Sequence, residues 1–195
     1  MDEIARTAED AFPPRFRYRI VTVEKKAEGV YLQEAGLLLP GKTAGLMLRE
    51  AKKAALLLCT LGLSFDAHLR SVQARDMARA VMLDACGSAL AEAGCDQAEA
   101  EIRALFPGLY LTDRFSPGYG DLPLQVQPGL LSALDAQRRL GVYMTDSFLM
   151  NPSKSVTAVI GLCDTPQSAR VRGCACCAFN KDCAYWKRGT ECEKV

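Results

Sequence analysis

Residues 54–60 read Ala-Ala-Leu-Leu-Leu-Cys-Thr and begin the longest apolar stretch of the chain. It is a short, uninterrupted apolar run that stops at Gly62, which is typical of a buried strand. Even when it is extended to Leu63, the run is too short to cross a lipid bilayer as a helix. We therefore expect a buried strand here, and no membrane association of the chain.

Strand and helix patterns are interspersed on both sides of this run. They lack the regular alternation of a doubly wound parallel sheet. The sequence therefore predicts an α+β fold, with a mixed or antiparallel sheet and packed helices. The other predicted strands cover 16–23, 30–39, 110–112, 142–148 and 155–161, and the predicted helices cover 43–51, the residues from 66 onward, 76–92, 97–105 and 129–140.

Length and charge limit the functional classes. A chain of 195 residues can bury a real core in one domain. Its net charge of +1 argues against a dedicated nucleic-acid-binding protein, which would carry a marked basic surplus. The start, Met-Asp-Glu, has no basic region followed by an apolar core, so we expect no secretory signal and a cytoplasmic location. Composition changes after about residue 165, and we expect a main domain over 1–165 and a Cys-rich tail over 166–195.

Nine cysteines are many for this length, and their distribution is uneven. Four of them have apolar neighbours and are expected to be buried, inert thiols: Cys59, Cys86, Cys95 and Cys163. The other five crowd into the C-terminal tail, which in a reducing compartment indicates metal or redox chemistry before disulfides. Four thiolates could close a zinc site or hold an iron–sulfur cluster, and the predicted ligands are Cys174, Cys177, Cys183 and Cys192, with Cys176 as a spare. A tail with exposed thiols is the alternative.

Three further features have weaker functional interpretations. Residues 36–43, Gly-Leu-Leu-Leu-Pro-Gly-Lys-Thr, satisfy the letters of a phosphate-binding loop, but three successive leucines favour burial over a phosphate cradle. Asp66-Ala-His68 resembles the start of a cobalt-ligating histidine motif, yet Ser71 stands where that motif has glycine. Asp84 lies among apolar residues of a predicted helix, so its carboxylate needs a partner, whether structural or a ligand.

The hexapeptide Arg114-Phe115-Ser116-Pro117-Gly118-Tyr119 is the strongest candidate site. A guanidinium can bind a carboxylate through two parallel hydrogen bonds. Gly118 lets the backbone take positive φ and approach a ligand, and Pro117 fixes the chain before it. Tyr119 offers a flat apolar face with a polar tip, suited to lying against a heterocycle or macrocycle. A proline–glycine turn with a surface ion pair is the structural alternative.

Two downstream segments accompany this hexapeptide: Met144-Thr145-Asp146-Ser147-Phe148 and Pro152-Ser153-Lys154-Ser155-Val156. The ordered set resembles the activation domain of cobalamin-dependent methionine synthase, whose signature is Arg-x-x-x-Gly-Tyr. The resemblance implies that S-adenosylmethionine (SAM) is bound, with Arg114, Phe115, Ser116, Gly118 and Tyr119 at the SAM site. It also implies that Pro117, Tyr119 and Ser155 face the cobalamin.

The resemblance implies the reductive reactivation of a corrinoid methyltransferase, in which the SAM methyl group is presented to cobalt. The cobalamin would be carried by the partner protein, and the electron would come from a flavodoxin- or ferredoxin-like donor. A metal-binding accessory protein that keeps the fold without SAM chemistry is the alternative. A nucleotide hydrolase is disfavoured by the leucines of the 36–43 segment.

Overall fold

The computed structural model describes residues 2–168 and 182–189. Its seven helices are α1 (Asp2–Ala11), α2 (Lys42–Met47), α3 (Leu63–Gln73), α4 (Met77–Leu105), α5 (Gln127–Ala133), α6 (Ala136–Leu140) and α7 (Ala184–Lys187). Its eight strands are β1 (Arg15–Lys26), β2 (Gly29–Leu32), β3 (Leu37–Pro40), β4 (Ala51–Thr60), β5 (Tyr110–Leu111), β6 (Tyr143–Met144), β7 (Met150–Asn151) and β8 (Ser155–Cys163).

Six of the strands form one sheet in the order β3-β2-β1-β4-β8-β5, and every neighbouring pair is antiparallel. Strands β6 and β7 form a separate antiparallel pair. The predicted α+β fold with an antiparallel sheet and packed helices is confirmed.

The apolar run in β4 is explained by burial on both faces of the sheet. Successive side chains of a strand point to opposite faces, so Leu56 and Leu58 enter one core while Leu57 and Cys59 enter another. The first core also takes residues of α2, α5 and α6, and the second takes residues of α4. The central strand is therefore apolar at each position from Ala54 to Cys59 and does not alternate with polar residues there.

Helix α4 is continuous over 29 residues, although the sequence predicted two separate helices there. Its N-terminus is capped by Asp76, whose carboxylate accepts a 3.0 Å hydrogen bond from the Arg79 amide. Its interior glycines are sites of close approach: a Cβ at Gly87 would meet the Phe65 ring, and one at Gly94 would meet the Cys59 sulfur. Close packing on α3 and β4 therefore stabilises the helix despite the low helix propensity of glycine.

Several other predicted elements are divided or shortened in the structure. The helix expected over 129–140 is split into α5 and α6, because Asp135 adopts a left-handed conformation with φ of 52°. The strand expected over 30–39 is interrupted by a 3₁₀ turn at Gln33–Ala35. The helix expected over 43–51 ends at Met47, since Ala51 already begins β4.

The scattered cysteines follow the expected pattern with one exception. Cys59, Cys95 and Cys163 are buried, whereas Cys86 on α4 is only half-buried. Among the residues described, no helix is both long and apolar enough to cross a bilayer. The division at residue 165 stays a prediction, because residues 169–181 and 190–195 lie outside the described part.

Candidate functional site

The loop after β5 runs along the edge of β8. Thr112 donates its amide to Gly161 at 3.0 Å, and Phe115 exchanges two backbone hydrogen bonds of 3.1 and 2.8 Å with Val159. Phe115 is fully buried in the core that contains α5. Its neighbour Arg114 points to the opposite face, toward α4, as expected for consecutive residues of extended chain.

The loop then turns sharply at Gly118. The φ of Gly118 is 95°, a conformation that favours glycine, and its amide donates to the Leu122 carbonyl at 2.8 Å. Tyr119 donates its amide to the Ser116 carbonyl at 3.0 Å, which closes the turn. The Tyr119 side chain is left 44% exposed, so its ring is free to contact a partner molecule.

The Arg114 guanidinium is buried among three carboxylates of α4. Nη1 donates to Asp96 at 2.6 Å and to Glu99 at 2.7 Å, and Nη2 donates to Glu92 at 2.8 Å. Burial by itself lowers the pKa of Arg114, but the hydrogen bond to Asp96 and the charge of Glu99 outweigh it, so the pKa is raised. The Nε atom of Arg114 is buried and has no hydrogen-bond partner in the described part of the chain. One strong donor in this cluster is therefore unused.

An open cavity of about 400 Å³ lies where the hexapeptide meets the start of β8. It brings together three of the predicted site residues, Ser116, Pro117 and Ser155, while the other four lie outside its wall. Ser116 is held there by a 2.6 Å hydrogen bond from its hydroxyl to the Thr157 carbonyl. The remaining lining residues are Leu124, Gln127, Phe148, Leu149, Met150, Ser153, Val156 and Thr157.

The sequence did not indicate several of these polar groups. Gln127 is buried, and its amide nitrogen donates to the Thr157 hydroxyl at 2.8 Å and to the Met150 sulfur at 3.0 Å. A buried amide bonded on two sides fixes the wall between α5 and β8. For the Arg114 partners a signal was present, because residues 92, 96 and 99 are acidic and share one face of a helix.

The weaker motifs have structural explanations. The carboxylate of Asp121 accepts the amides of Lys42 and Thr43 at 2.6 and 2.8 Å, so the amides that would hold a phosphate are already bound. These hydrogen bonds lower the pKa of Asp121 to about 2. Asp84 pairs with Lys154 at 2.9 Å, which supplies the partner that its carboxylate needed. His68 is exposed on α3 and packs beside Phe12.

The predicted metal ligands lie mostly outside the described residues. Cys183 is described as a half-buried free thiol directly before α7, and the other three fall outside. Within 2–168 and 182–189, no three His, Cys, Asp or Glu side chains are grouped so that they could hold a metal ion. The tail centre stays a prediction.

The sequence profile of one family, described as the activation domain of vitamin B12-dependent methionine synthase, matches residues 47–171. The match covers more than half of the chain, including α4, the hexapeptide, both downstream segments and β8. The chain belongs to this family.

A solved structure shares the activation-domain fold. It is a crystal structure of the MetH reactivation domain bound to AdoHcy, with 18% sequence identity and a TM-score of 0.67. The alignment covers 87% of this chain and 65% of the solved one, so this chain spans about two thirds of the length of the solved domain. A comparison with curated proteins found no match.

Proposed function

We propose that the chain reactivates an oxidised corrinoid protein at the expense of SAM. The inactive Co(II) corrinoid takes one electron from a donor protein, and the resulting Co(I) attacks the SAM methyl carbon. The carbon–sulfur bond breaks, its electron pair stays on sulfur, and the products are methyl–Co(III) and S-adenosylhomocysteine. The corrinoid and SAM are the reactants, so this chain needs no nucleophile and acts by positioning.

The observation that carries this proposal is the cavity between the Arg114–Tyr119 hexapeptide and the 152–157 segment, in a chain of the activation-domain family. Two of the three sequence segments that carried the resemblance line the cavity, and Phe148 adds the end of the third. The solved relative was crystallised with AdoHcy, the demethylated product of SAM, which supports a SAM-type ligand for this fold.

SAM would be bound by Arg114, Phe115, Ser116, Gly118 and Tyr119, largely through backbone groups. Arg114 has one unused donor, Nε, and can offer a second to the ligand carboxylate if it releases a carboxylate of α4. Glu92 and Asp96 can be released most easily, because their side chains are 54% and 69% exposed and water replaces the lost hydrogen bonds.

The corrinoid would be covered by Pro117, Tyr119 and Ser155. Pro117 and Ser155 are in the cavity wall, and Tyr119, two residues after Pro117, is 44% exposed. A corrinoid-binding methyltransferase would dock here and bring its cobalamin, while a flavodoxin- or ferredoxin-like protein supplies the electron. A zinc or iron–sulfur centre at Cys174, Cys177, Cys183 and Cys192 would order the tail, and an iron–sulfur centre would also relay the electron.

Calorimetric titration with SAM and with S-adenosylhomocysteine tests the proposal directly. We expect both to bind the isolated chain. With a methionine synthase module that carries cob(II)alamin, and titanium(III) citrate as the reductant, we expect the absorption of methylcobalamin to appear only when SAM and this chain are both present. A folded chain that binds neither ligand would favour the metal-binding accessory protein.

Replacing the exposed tyrosine separates the two binding roles. Tyr119→Ala should reduce the rate of methylcobalamin formation by roughly tenfold, because the macrocycle loses a stacking face. SAM affinity should change less. Tyr110→Ala is the matched control, since Tyr110 is similarly exposed, at 47%, but lies in β5, outside the hexapeptide. Equal losses of SAM binding and reactivation in the Tyr119 variant would contradict this division of roles.

A further inference from the structure

The Asp66 carboxylate is buried at the end of α3 that faces the start of β8. Only 7% of the residue is exposed to solvent. A carboxylate in such a position is costly unless strong donors bind it. The donors come from a distant part of the chain: Oδ2 accepts the Ser153 amide at 2.8 Å, and Oδ1 accepts the Ser153 hydroxyl at 2.8 Å.

Ser153 belongs to the Pro152–Ser155 segment, which forms one wall of the cavity. Other contacts hold this segment to the sheet. The Leu61 amide donates to the Lys154 carbonyl at 3.0 Å, and the Thr60 and Ser155 hydroxyls are hydrogen-bonded at 2.8 Å. The Ser155 hydroxyl also donates to the Pro152 carbonyl at 2.7 Å. Residues 152–154 have no regular secondary structure, so these contacts fix the path of the segment into β8.

Within the residues described, two side chains of this segment make charge-assisted contacts. Lys154 pairs with Asp84 at 2.9 Å through one bond, whereas Ser153 binds Asp66 through two. Hydrogen bonds to an ionised acceptor are roughly twice as strong as neutral ones. Because both bonds come from Ser153, they fix the orientation of this residue as well as its position. Asp66 therefore determines where the Ser153 end of the cavity wall lies.

We propose that Asp66 is a positioning residue for the corrinoid-facing wall. It contacts neither reactant and acts through Ser153, which in turn places Ser155 and the mouth of the cavity. This inference rests on the proposed function of the cavity. The Asp66-Ala-His68 segment then has a role that needs no metal. Asp66 positions Ser153 by hydrogen bonding, and His68 is an exposed neighbour.

The test compares Asp66→Ala with Asp76→Ala in the reactivation assay with the cob(II)alamin-carrying module. Asp76 is a matched control, because it caps α4 and lies outside the cavity wall. We expect Asp66→Ala to raise the KM for the module at least about tenfold, since misplacement of a wall by about 1 Å is costly. The dissociation constant for SAM should change less than about threefold, and the Asp76 variant should keep both values.

Two further variants test whether the hydrogen bonds between Asp66 and Ser153 cause the effect. Asp66→Asn can still accept the Ser153 amide through Oδ1 and donate to its hydroxyl through Nδ2, so it should recover most of the loss. Ser153→Ala should give a KM between those of the wild type and Asp66→Ala. Adding it to Asp66→Ala should raise the KM little further, because both changes remove the same contact. Hydrogen exchange of the 149–156 backbone should accelerate in Asp66→Ala and not in Asp76→Ala.

The outcomes separate this inference from the function on which it rests. If the wild-type chain neither binds SAM nor supports methylcobalamin formation, the proposed function is wrong. If the wild-type chain is active but the KM and the exchange of 149–156 are the same in the Asp66 and Asp76 alanine variants, the positioning role is wrong and the function stands. A raised KM with faster exchange in Asp66→Ala alone supports the inference.

Discussion

Arg114→Met removes the cation that pairs with three carboxylates of α4 while keeping a side chain of similar length. The Arg114 side chain is 3% exposed, and its partner Glu99 is 21% exposed, so this bond lies in a largely dry environment. A charge-assisted hydrogen bond there contributes about 1.5–3 kcal/mol to the free energy of unfolding. Glu92 and Asp96 are more than half exposed, and each contributes only about 0.2–1 kcal/mol.

One effect opposes this loss. The buried Nε of Arg114 has no partner among the described residues, and removing it relieves a desolvation penalty of about 1–3 kcal/mol. Mutual repulsion of three carboxylates on one helix face adds a few tenths of a kcal/mol to the cost. We therefore expect Arg114→Met to lower the free energy of unfolding by about 2 kcal/mol.

Urea denaturation followed by circular dichroism measures this difference, with the midpoint shifting and the slope unchanged. Arg114→Lys keeps the charge without the planar guanidinium, so its free energy of unfolding should lie between those of the wild type and the Met variant. The deficit of the Met variant should shrink in high salt, because salt screens the carboxylates from one another. A Met variant within about 0.5 kcal/mol of wild type would show that the cluster does not stabilise the fold.

The same variant tests the proposed role of Arg114 in SAM binding. If Arg114 binds the ligand carboxylate, a folded Arg114→Met protein should bind SAM roughly tenfold to a hundredfold more weakly, which corresponds to about 1.5–3 kcal/mol. Unchanged affinity in a folded variant would show that Arg114 is not the carboxylate anchor and only stabilises α4 against the loop.

The remaining predictions concern acid stability, packing and the tail. Because hydrogen bonding holds the folded-state pKa of Asp121 at about 2, below its ordinary value of 3.8, its contribution to stability is complete above pH 4 and is lost as pH falls toward 2. Asp121→Asn should therefore flatten the acid limb of thermal stability against pH, and an unchanged limb would contradict this. Gly87→Ala should destabilise by about 1–3 kcal/mol in urea, since its Cβ would overlap the Phe65 ring, and a more stable variant would refute that packing. Anaerobic protein should contain about one zinc or one iron–sulfur cluster per chain, measured by metal analysis and visible absorption. The proposed ligands are Cys174, Cys177, Cys183 and Cys192. The metal should be lost when any one of them is replaced and kept in Cys176→Ser. Metal-free protein with an ordered tail would contradict the prediction.

Local patterns were sufficient for the two longest strands. The apolar run at 54–59 predicted β4, because those residues are buried on both faces of the sheet. The β-forming residues of 16–23 predicted β1, although Val21 alone among the twelve residues of that strand is buried. The split between α5 and α6 was not predictable, since it depends on a left-handed Asp135, which most sequences avoid. The continuity of α4 depends on Phe65 and Cys59 packing onto its glycines, and these contacts join distant parts of the chain.

Local sequence patterns were enough to predict the fold class, the family resemblance and the hexapeptide, part of which lines the cavity. Those features depend on local chemistry: the period of apolar residues, the turn preference of glycine and proline, and the order of short motifs. Three contacts became visible only in the folded chain: Arg114 pairs with three carboxylates, Asp121 binds the amides of the phosphate-loop-like segment, and Asp66 binds Ser153. Each of these contacts joins residues 15 to 87 positions apart, and a partner at that distance is set by how the helices pack on the sheet.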